Sequence, residues 1–209
     1  REPWQGYNRC MQVDPLSLRD APAAGLVSAL QATRQRTLGL LSAWQQDRPD
    51  LRVPQRPTLN PPLWELGHVG WFQEWWMGRN AQRGRGHRAD PDSVRSASHL
   101  PEADALYNSS LIAHAERWAL PLHSLDATLD YLERVQVDTL ALLQGAPHDD
   151  DALYFGRLVL FHEDMHCEAS VYMAQALGVP VPVELANGRA LTPAVNGLPP
   201  DMAVPAQTW

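Results

Sequence analysis

Apolar residues recur every three or four positions in four long stretches of the chain, a spacing that predicts four amphipathic helices. The stretches cover residues 21–46, 61–79, 122–144 and 152–177, and the last follows an acidic cap at residues 149–151. The second should begin at the cap residue Asn60, with Pro61 in its first turn, and Gly178 should end the fourth. The hydrophobic pattern therefore predicts an all-α protein.

A long connection, residues 80–121, separates the second and third predicted helices, and we expect one short helical turn in it at residues 103–110. Connections of this length usually carry a function or dock onto the body of the protein. The sequence after residue 180 is rich in proline and has no periodicity, which is typical of a linker or an extended arm. Residues 1–180 should thus form an up-down four-helix bundle with one long crossover, and residues 181–209 an irregular C-terminal arm.

Three histidines are candidate metal ligands. His162 and His166 lie four residues apart in the fourth predicted helix, so their Cβ atoms should share one face, about 5–6 Å apart. Apolar residues at helical spacing on that face, Met165 and Tyr172 among them, indicate that it points into the core. His68 lies in the aromatic stripe of the second helix and should also point inward. One metal ion would give all three imidazoles a partner and leave coordination positions open for chemistry.

Other interpretations of these residues remain open. The pattern His-Glu-x-x-His at residues 162–166 also matches the zinc metalloproteases, with Glu163 as general base and Glu184 as a third ligand. That interpretation leaves His68, which could instead be a hydrogen-bonded core residue, unexplained. We expect Glu163 either to contact a metal ligand without binding the metal or to face solvent. We expect Cys167 to pack in the core. Imidazole suits iron, zinc, copper and nickel, so the ligands alone do not select the metal, although an open three-ligand site suits ferrous iron.

The bulk composition narrows the class of protein. A formal net charge of −7 argues against a general nucleic-acid binder. Cys10 and Cys167 give neither a disulfide framework nor a zinc-knuckle spacing, which favours a reducing, cytoplasmic setting. No apolar run approaches the ~20 residues needed to cross a bilayer, and we find no signal peptide. We expect small-molecule partners and neither nucleic acid nor membrane.

Two segments carry a family resemblance. Residues 60–76, NPPLWELGHVGWFQEWW, and residues 161–169, FHEDMHCEA, resemble the amino-terminal DinB-like domain of the ergothioneine sulfoxide synthases. The resemblance extends over most of residues 20–180 and implies a DinB-like four-helix bundle. Because those proteins are non-haem iron enzymes, it also implies that His68, His162 and His166 hold Fe(II).

Within that family the sequence is more similar to the selenoneine synthase branch. The similarity lies in residues 64–68, the pair at 75–76, residues 103–110 and the pair at 117–118. The ergothioneine branch typically has an Arg-Gly-x-x-x-Arg-Pro element that helps to bind γ-glutamylcysteine, and this sequence lacks it. The resemblance therefore implies a dioxygen-dependent enzyme that forms a carbon–selenium bond at the imidazole C2 of hercynine (trimethylhistidine), with a selenosugar as donor.

The resemblance has further implications for the substrate pocket and the domains. Trp71 and Trp75 could wall the pocket or stack on the trimethylammonium group of hercynine, although large aromatic side chains more often fill cores. In this family a domain resembling the formylglycine-generating enzyme follows the bundle and supplies a catalytic tyrosine, so residues 181–209 would lead into it. Three alternatives remain: an ergothioneine-type synthase that forms a carbon–sulfur bond from a thiol donor, a DinB-like zinc thiol transferase, and a non-catalytic interaction bundle. A homodimer is also left open.

Overall fold

Helices dominate the computed structural model of the chain, which describes residues 17–186. Its α-helices are α1 (Ala23–Asp47), α2 (Pro62–Gln73), α3 (Ala103–Tyr107), α4 (Leu125–Gln144) and α5 (Asp150–Leu177). Helix α2 continues into a π-helical turn, Glu74–Gly78, and short 3-10 turns lie at Ser17–Arg19, Arg83–Arg88 and His114–Trp118. Cys10 and most of the predicted arm, residues 187–209, lie outside the described residues.

The four long helices pack as a bundle. Helix α1 packs against α4 and α5, and α2 packs against the same two helices, so α1 and α2 occupy opposite corners. Fully buried leucines fill the space between them, including Leu26, Leu30, Leu132 and Leu160. The predicted all-α four-helix bundle with a long crossover after its second helix is confirmed.

The predicted starts of α1, α2 and α4 are early by two, one and three residues. Helix α2 begins at Pro62 after Pro61, without a side-chain cap, and Asn60 instead accepts a 2.8 Å hydrogen bond from Arg117. Helix α4 begins at Leu125, because the Ser124 hydroxyl accepts a hydrogen bond from a backbone N–H of the first turn. A proline can start a helix without a cap, since its fixed φ suits the first turn.

The ends of α5 follow the sequence signals closely. The Asp149 carboxylate caps the first turn by accepting a 2.8 Å hydrogen bond from the Ala152 N–H. Gly178 ends the helix with φ of 71°, in the left-handed region that glycine adopts without a steric penalty. No helix within residues 17–186 has both the length and the apolar character needed to cross a membrane.

The inward face of α5 differs from the predicted one. The buried residues of this helix centre on Leu160, Glu163 and Cys167, whereas Met165 and Tyr172 are each 52% exposed. The helix can turn Glu163 inward because Arg34 of α1 pairs with its carboxylate at 2.7 Å in the core. His162 and His166 therefore lie at the edge of the core, beside an exposed strip of the same helix.

The crossover between α2 and α4 docks onto the bundle. Arg79, at the end of the π-helical turn, donates two hydrogen bonds of 2.6 and 2.8 Å to the Asp104 carboxylate. The Trp64 indole N–H donates to the carbonyl of Leu106 at 2.9 Å. The buried Glu74 carboxylate accepts hydrogen bonds from the hydroxyl groups of Ser98 and Tyr131. These polar anchors hold the segment around α3 against α2.

The beginning of the predicted arm also lies against the bundle. Leu185 is buried beside Gly39 of α1, and its carbonyl accepts a 2.9 Å hydrogen bond from Arg36. A Cβ atom at position 39 would lie 2.9 Å from Cδ2 of Leu185, so a larger residue there would require the end of this side chain to shift. Glu184, the third ligand of the metalloprotease alternative, is exposed.

Candidate metal centre

Helices α2 and α5 bring the three predicted ligand histidines together. The Nε2 atom of His162 lies 3.2 Å from Nε2 of His68 and 3.2 Å from Nε2 of His166. One ring nitrogen from each residue lies within 4.8 Å of the others, so the group could hold a metal ion. Imidazole nitrogens bind a metal such as zinc at about 2.0–2.1 Å, which makes neighbouring ligand nitrogens about 3 Å apart in an open site.

Aromatic side chains fix the planes of two of these rings. His68 is 4% exposed and lies between Trp64, stacked at a centroid distance of 4.8 Å, and Trp71 at 5.9 Å. The ring of His162 stacks on Phe72 with a centroid distance of 3.6 Å and an interplanar angle of 4°. All three aromatic residues belong to α2, where the spacing of the aromatic stripe places them around His68.

Hydrogen bonds on the far side of two rings determine which nitrogen carries the proton. Nδ1 of His68 donates to the carbonyl oxygen of Tyr107 at 2.8 Å, and Nδ1 of His166 donates to the Glu65 carboxylate. In a neutral imidazole the other nitrogen, Nε2, must then be a lone-pair acceptor. Nε2 of His162 can donate to only one of these two acceptors, whereas a metal ion would satisfy all three lone pairs. This donor set therefore fits a bound cation.

Burial keeps two of the imidazoles neutral. Burial, with a smaller contribution from the charge of His166, lowers the pKa of His68 to about 4. The same causes, in the same order, lower the pKa of His162 to about 2. Burial, the largest single cause, would raise the pKa of Glu65, but the hydrogen bond and charge of His166, with smaller contributions from His68 and Asn60, together hold it below its ordinary value. Neutral imidazoles are the form that binds metals.

Gly67 allows the crossover to reach His68. A Cβ atom at position 67 would lie 2.1 Å from Cε1 of Tyr107, so a larger residue cannot fit beneath the tyrosine ring. With glycine there, the fully buried Tyr107 packs on α2 and its carbonyl reaches Nδ1 of His68. The segment that connects α2 to α4 thus supplies a partner for a ligand on α2.

Arg117 is a second residue of the crossover that contacts the surroundings of His68. The Arg117 guanidinium lies over the ring of Trp64, 4.0 Å from its centroid, and donates to the Asn60 side chain. Trp64 in turn stacks on His68, so Arg117, Trp64 and the candidate ligand His68 form one stack. A cation over an indole face stabilises such a stack by about 0.5–2 kcal/mol, depending on its exposure.

Neither acidic residue of the metalloprotease alternative lies in the site. The Glu163 carboxylate turns away from the histidines and accepts hydrogen bonds from Arg34 and Thr37. Its burial shows that it is not the surface residue allowed by the sequence analysis. Cys167 is buried beside Thr37, and burial raises the pKa of its thiol to about 12, in keeping with a packing role.

Trp71 and Trp75 have structural partners. Trp71 is buried, and its indole N–H donates to Asp104 at 2.7 Å. The guanidinium groups of Arg79 and Arg95 each lie 5.0 Å from the Trp75 ring centroid. These contacts favour the core-packing interpretation, and a role in substrate binding stays a prediction.

Glu65 contacts one of the three histidines and was not among the site residues predicted from the sequence. Its signal was a carboxylate within the otherwise apolar run at residues 63–67, because a buried charge needs a partner. Its place in the first turn of α2 offered a simpler explanation, since acidic residues there stabilise the helix dipole. The Tyr107 carbonyl gave no signal at all, because any residue could supply it.

An apolar cavity of about 40 Å³ adjoins His166 on the core side. It is lined mainly by Leu40, Leu41, Leu66 and Val69. Sites for small organic molecules usually have volumes of roughly 300–1,000 Å³, so this cavity is too small for an amino-acid substrate.

Comparison with protein families gives a match over most of the described residues. The sequence model of the DinB superfamily matches residues 29–170, which include all three histidines.

Curated relatives give a second line of comparison. A hercynine oxygenase of Mycolicibacterium smegmatis is 32% identical over 154 residues, which are 74% of this chain and 32% of that protein. A hercynine oxygenase of Mycolicibacterium thermoresistibile is 31% identical over 179 residues, 84% of this chain and 36% of the relative. The hercynine oxygenase of Mycobacterium tuberculosis is 30% identical over 174 residues, which are 83% of this chain and 36% of that protein. The chain spans about a third of the length of these relatives.

Proposed function

The chain belongs to the DinB superfamily, and from this premise we propose that it is the metal-binding part of an iron(II)- and dioxygen-dependent enzyme that acts on hercynine. The observation that carries the proposal is the convergence of three imidazole rings, with one ring nitrogen of each within 4.8 Å of the others. The relatives named hercynine oxygenase support the substrate and the use of oxygen. The metal in this proposal is iron, because zinc has no redox chemistry with which to activate dioxygen.

His68, His162 and His166 would hold the ion. When bound, iron(II) would supply the capacity to activate dioxygen beside a bound substrate. The chain's own residues prepare the site: Tyr107 and Glu65 orient two ligand rings through their Nδ1 atoms. The indole rings of Trp64 and Trp71 cover His68 and exclude water from that side.

The product we propose is a seleno-imidazole, formed by a carbon–selenium bond at the imidazole C2 of hercynine with a selenosugar as donor. Support for selenium comes from the sequence resemblance of residues 64–68 and 103–110 and from the missing Arg-Gly-x-x-x-Arg-Pro element. Carbon–sulfur bond formation from a thiol donor is the alternative that the experiment must separate. We place this chemistry in the cytoplasm, because two cysteines without a disulfide framework fit a reducing compartment.

We also propose that a second domain completes the active site. In this arrangement residues 1–180 are the metal-binding domain and residues 181–209 lead into the second one. The length of the relatives supports this, as does the small volume of the cavity beside His166. Four large apolar side chains on the outer face of α5 are exposed beside the candidate ligands: Tyr154, Phe161, Met165 and Tyr172. An exposed apolar strip of this kind commonly marks a contact surface.

The test uses the intact polypeptide that contains this chain, loaded anaerobically with Fe(II). Hercynine is then supplied with a selenosugar or with γ-glutamylcysteine, in the presence and absence of dioxygen, and the product is identified by mass spectrometry. We expect a seleno-imidazole that forms only with dioxygen. A sulfur product from γ-glutamylcysteine alone would replace the selenium assignment, and no oxygen consumption with either donor would overturn the oxygenase proposal.

Variants of the histidines test the metal site separately. His68→Ala, His162→Ala and His166→Ala should each lose most of the bound metal, as measured by elemental analysis of the purified protein. His87→Ala is the matched control, because its side chain is 72% exposed and lies outside the site. Tight zinc with no reaction of dioxygen would move the assignment to a DinB-like thiol transferase.

A further inference from the structure

We propose that Glu65 is a positioning residue that fixes the tautomer and orientation of His166, and so determines how tightly the site holds its metal. This inference rests on the proposed metal site. It starts from one contact, the hydrogen bond from Nδ1 of His166 to Oε2 of Glu65. The bond joins α2, which carries His68, to α5, which carries the other two histidines.

Glu65 makes this contact from a buried position in the core. The residue is 8% exposed and lies one helical turn before His68 on α2. A buried carboxylate needs a charged or hydrogen-bonding partner, and the His166 ring supplies it. The carboxylate meets the ring at Nδ1, opposite the Nε2 atom that faces the other histidines, so Glu65 is not placed to be a fourth ligand.

The three histidines differ in what holds them. His68 donates to a neutral backbone carbonyl, His162 stacks on Phe72, and His166 donates to a carboxylate. A carboxylate that accepts a hydrogen bond from Nδ1–H fixes the tautomer and makes the imidazole a more basic ligand, and removing such a partner typically weakens metal binding about 10- to 100-fold. Glu65 should therefore matter more than any other residue that contacts the ligands without binding the metal.

The first test measures metal affinity rather than activity. The full chain is titrated with Co(II), whose visible absorption reports coordination, and with Zn(II) in competition with a chelator. Glu65→Ala should bind each metal about 10- to 100-fold more weakly than the wild-type chain. Glu168→Gln is the matched control, because it removes an exposed carboxylate two residues from His166 without changing a contact of the ring. Unchanged Co(II) affinity in folded Glu65→Ala overturns the proposal.

The second test observes the tautomer directly in the metal-free chain. Long-range ¹H–¹⁵N spectra distinguish protonated from unprotonated ring nitrogens. In Glu65→Ala, His166 should become a mixture of tautomers, whereas His68, held by the Tyr107 carbonyl, should keep its Nδ1 proton. Glu65→Gln should preserve the His166 tautomer, since the amide oxygen still accepts the hydrogen bond. A purely structural role for Glu65 would not change the His166 tautomer, and that result would contradict the proposal.

These measurements separate the two proposals. If the wild-type chain binds neither Co(II) nor Zn(II), the metal-binding proposal fails, and the tautomer measurement still tests Glu65. If the wild-type chain binds metal and the Glu65 variants bind it equally well, only the role of Glu65 fails. If Glu65→Ala does not fold, Glu65→Gln decides, because it keeps the hydrogen bond but removes the carboxylate charge that makes His166 a more basic ligand. Weaker Co(II) binding than in Glu168→Gln then supports the proposal, and equal binding overturns it.

Discussion

Gly67 lies directly beneath the ring of Tyr107, and the contact between them sets the position of the carbonyl that His68 donates to. The sequence presents Gly67 only as a glycine within a helix, where it would ordinarily cost about 0.5–1 kcal/mol relative to alanine. The structure gives the reason for it, since no Cβ atom fits between α2 and the tyrosine ring.

We therefore predict that Gly67→Ala destabilises the protein, although alanine is the better helix former. Displacing the tyrosine ring should lower the free energy of unfolding by about 1–3 kcal/mol, the usual cost of overpacking a core. The same change should weaken Co(II) binding, because the partner of His68 moves. Urea unfolding and Co(II) titration measure the two effects.

Gly84→Ala is the control for this change. A Cβ atom at position 84 would meet no other atom within 4 Å, so the free energy of unfolding should stay within about 0.5 kcal/mol of the wild-type value. Equal stability of the two alanine variants would show that the Tyr107 ring can move aside at little cost.

Arg34 connects the four long helices through one side chain. From α1 its guanidinium donates to Glu163 of α5, to the Gln73 side chain of α2 and to the Leu132 carbonyl of α4. Both members of the Arg34–Glu163 pair have side chains only 3% exposed. The pair allows the helix that carries two of the three histidines to place a carboxylate in the core.

Removing one partner of this pair should cost more than removing both. Arg34→Met leaves the Glu163 carboxylate buried without its cation and should lower the free energy of unfolding by about 3–5 kcal/mol. The double variant Arg34→Met/Glu163→Leu should recover a large part of that loss, since no buried charge remains. Urea unfolding of both variants measures the difference.

The control for the buried pair is an exposed pair on the same protein. Arg52 and Asp50 are 3.9 Å apart with side chains 89% and 65% exposed, so Arg52→Met should change stability by less than about 1 kcal/mol. If the double variant proves as unstable as Arg34→Met, the buried charge of Glu163 is not the cause of the loss.

The crossover is attached to α2 through Asp104. The hydrogen bonds from Arg79, opposed by partial burial and helped by the Trp71 indole, hold the pKa of Asp104 below its ordinary value of 3.8. A carboxyl group with a lowered pKa in the folded state stabilises the protein above its ordinary pKa, and this contribution is lost as the pH falls.

Asp104→Asn should therefore be less stable than the wild-type chain at neutral pH. The difference between the two proteins should shrink as the pH falls through 3.8 towards the lower pKa of the folded state. Urea unfolding of both proteins across this pH range tests the prediction. A difference that does not depend on pH would mean that the charge of Asp104 contributes nothing to its role.

A metal ion bound to His68, His162 and His166 would join α2 to α5 and stabilise the whole bundle. At a free metal concentration of 100 times the dissociation constant, binding should add about 2.7 kcal/mol to the free energy of unfolding. For a domain of this size that corresponds to a rise in Tm of about 5–11 °C.

We expect the addition of Zn(II) or anaerobic Fe(II) to raise Tm, and chelation to reverse the rise. Differential scanning calorimetry of the metal-loaded and chelator-treated chain measures this. A variant with all three histidines replaced by alanine should show no metal-dependent change. A rise of the same size in that variant would place the metal elsewhere on the protein.

The sequence by itself determined the four helices, the long crossover and the three candidate ligands. Helical periodicity and capping residues act over a few positions. The two ends of α5 could therefore be predicted from Asp149 and Gly178. The pair His162 and His166 is also local, since four residues on a helix fix their separation. The bundle followed because four amphipathic helices must bury their apolar faces together.

Only the tertiary structure decided which residues surround the three histidines. Glu65 and the Tyr107 carbonyl reach them from positions distant in sequence, and no local rule specifies such contacts. Which face of α5 points into the core also depended on a distant residue, because the ion pair with Arg34 stabilises Glu163 in a buried position. A side chain's hydrogen-bond partner depends on how elements pack in three dimensions, and that information is spread over the whole chain rather than any one segment of it.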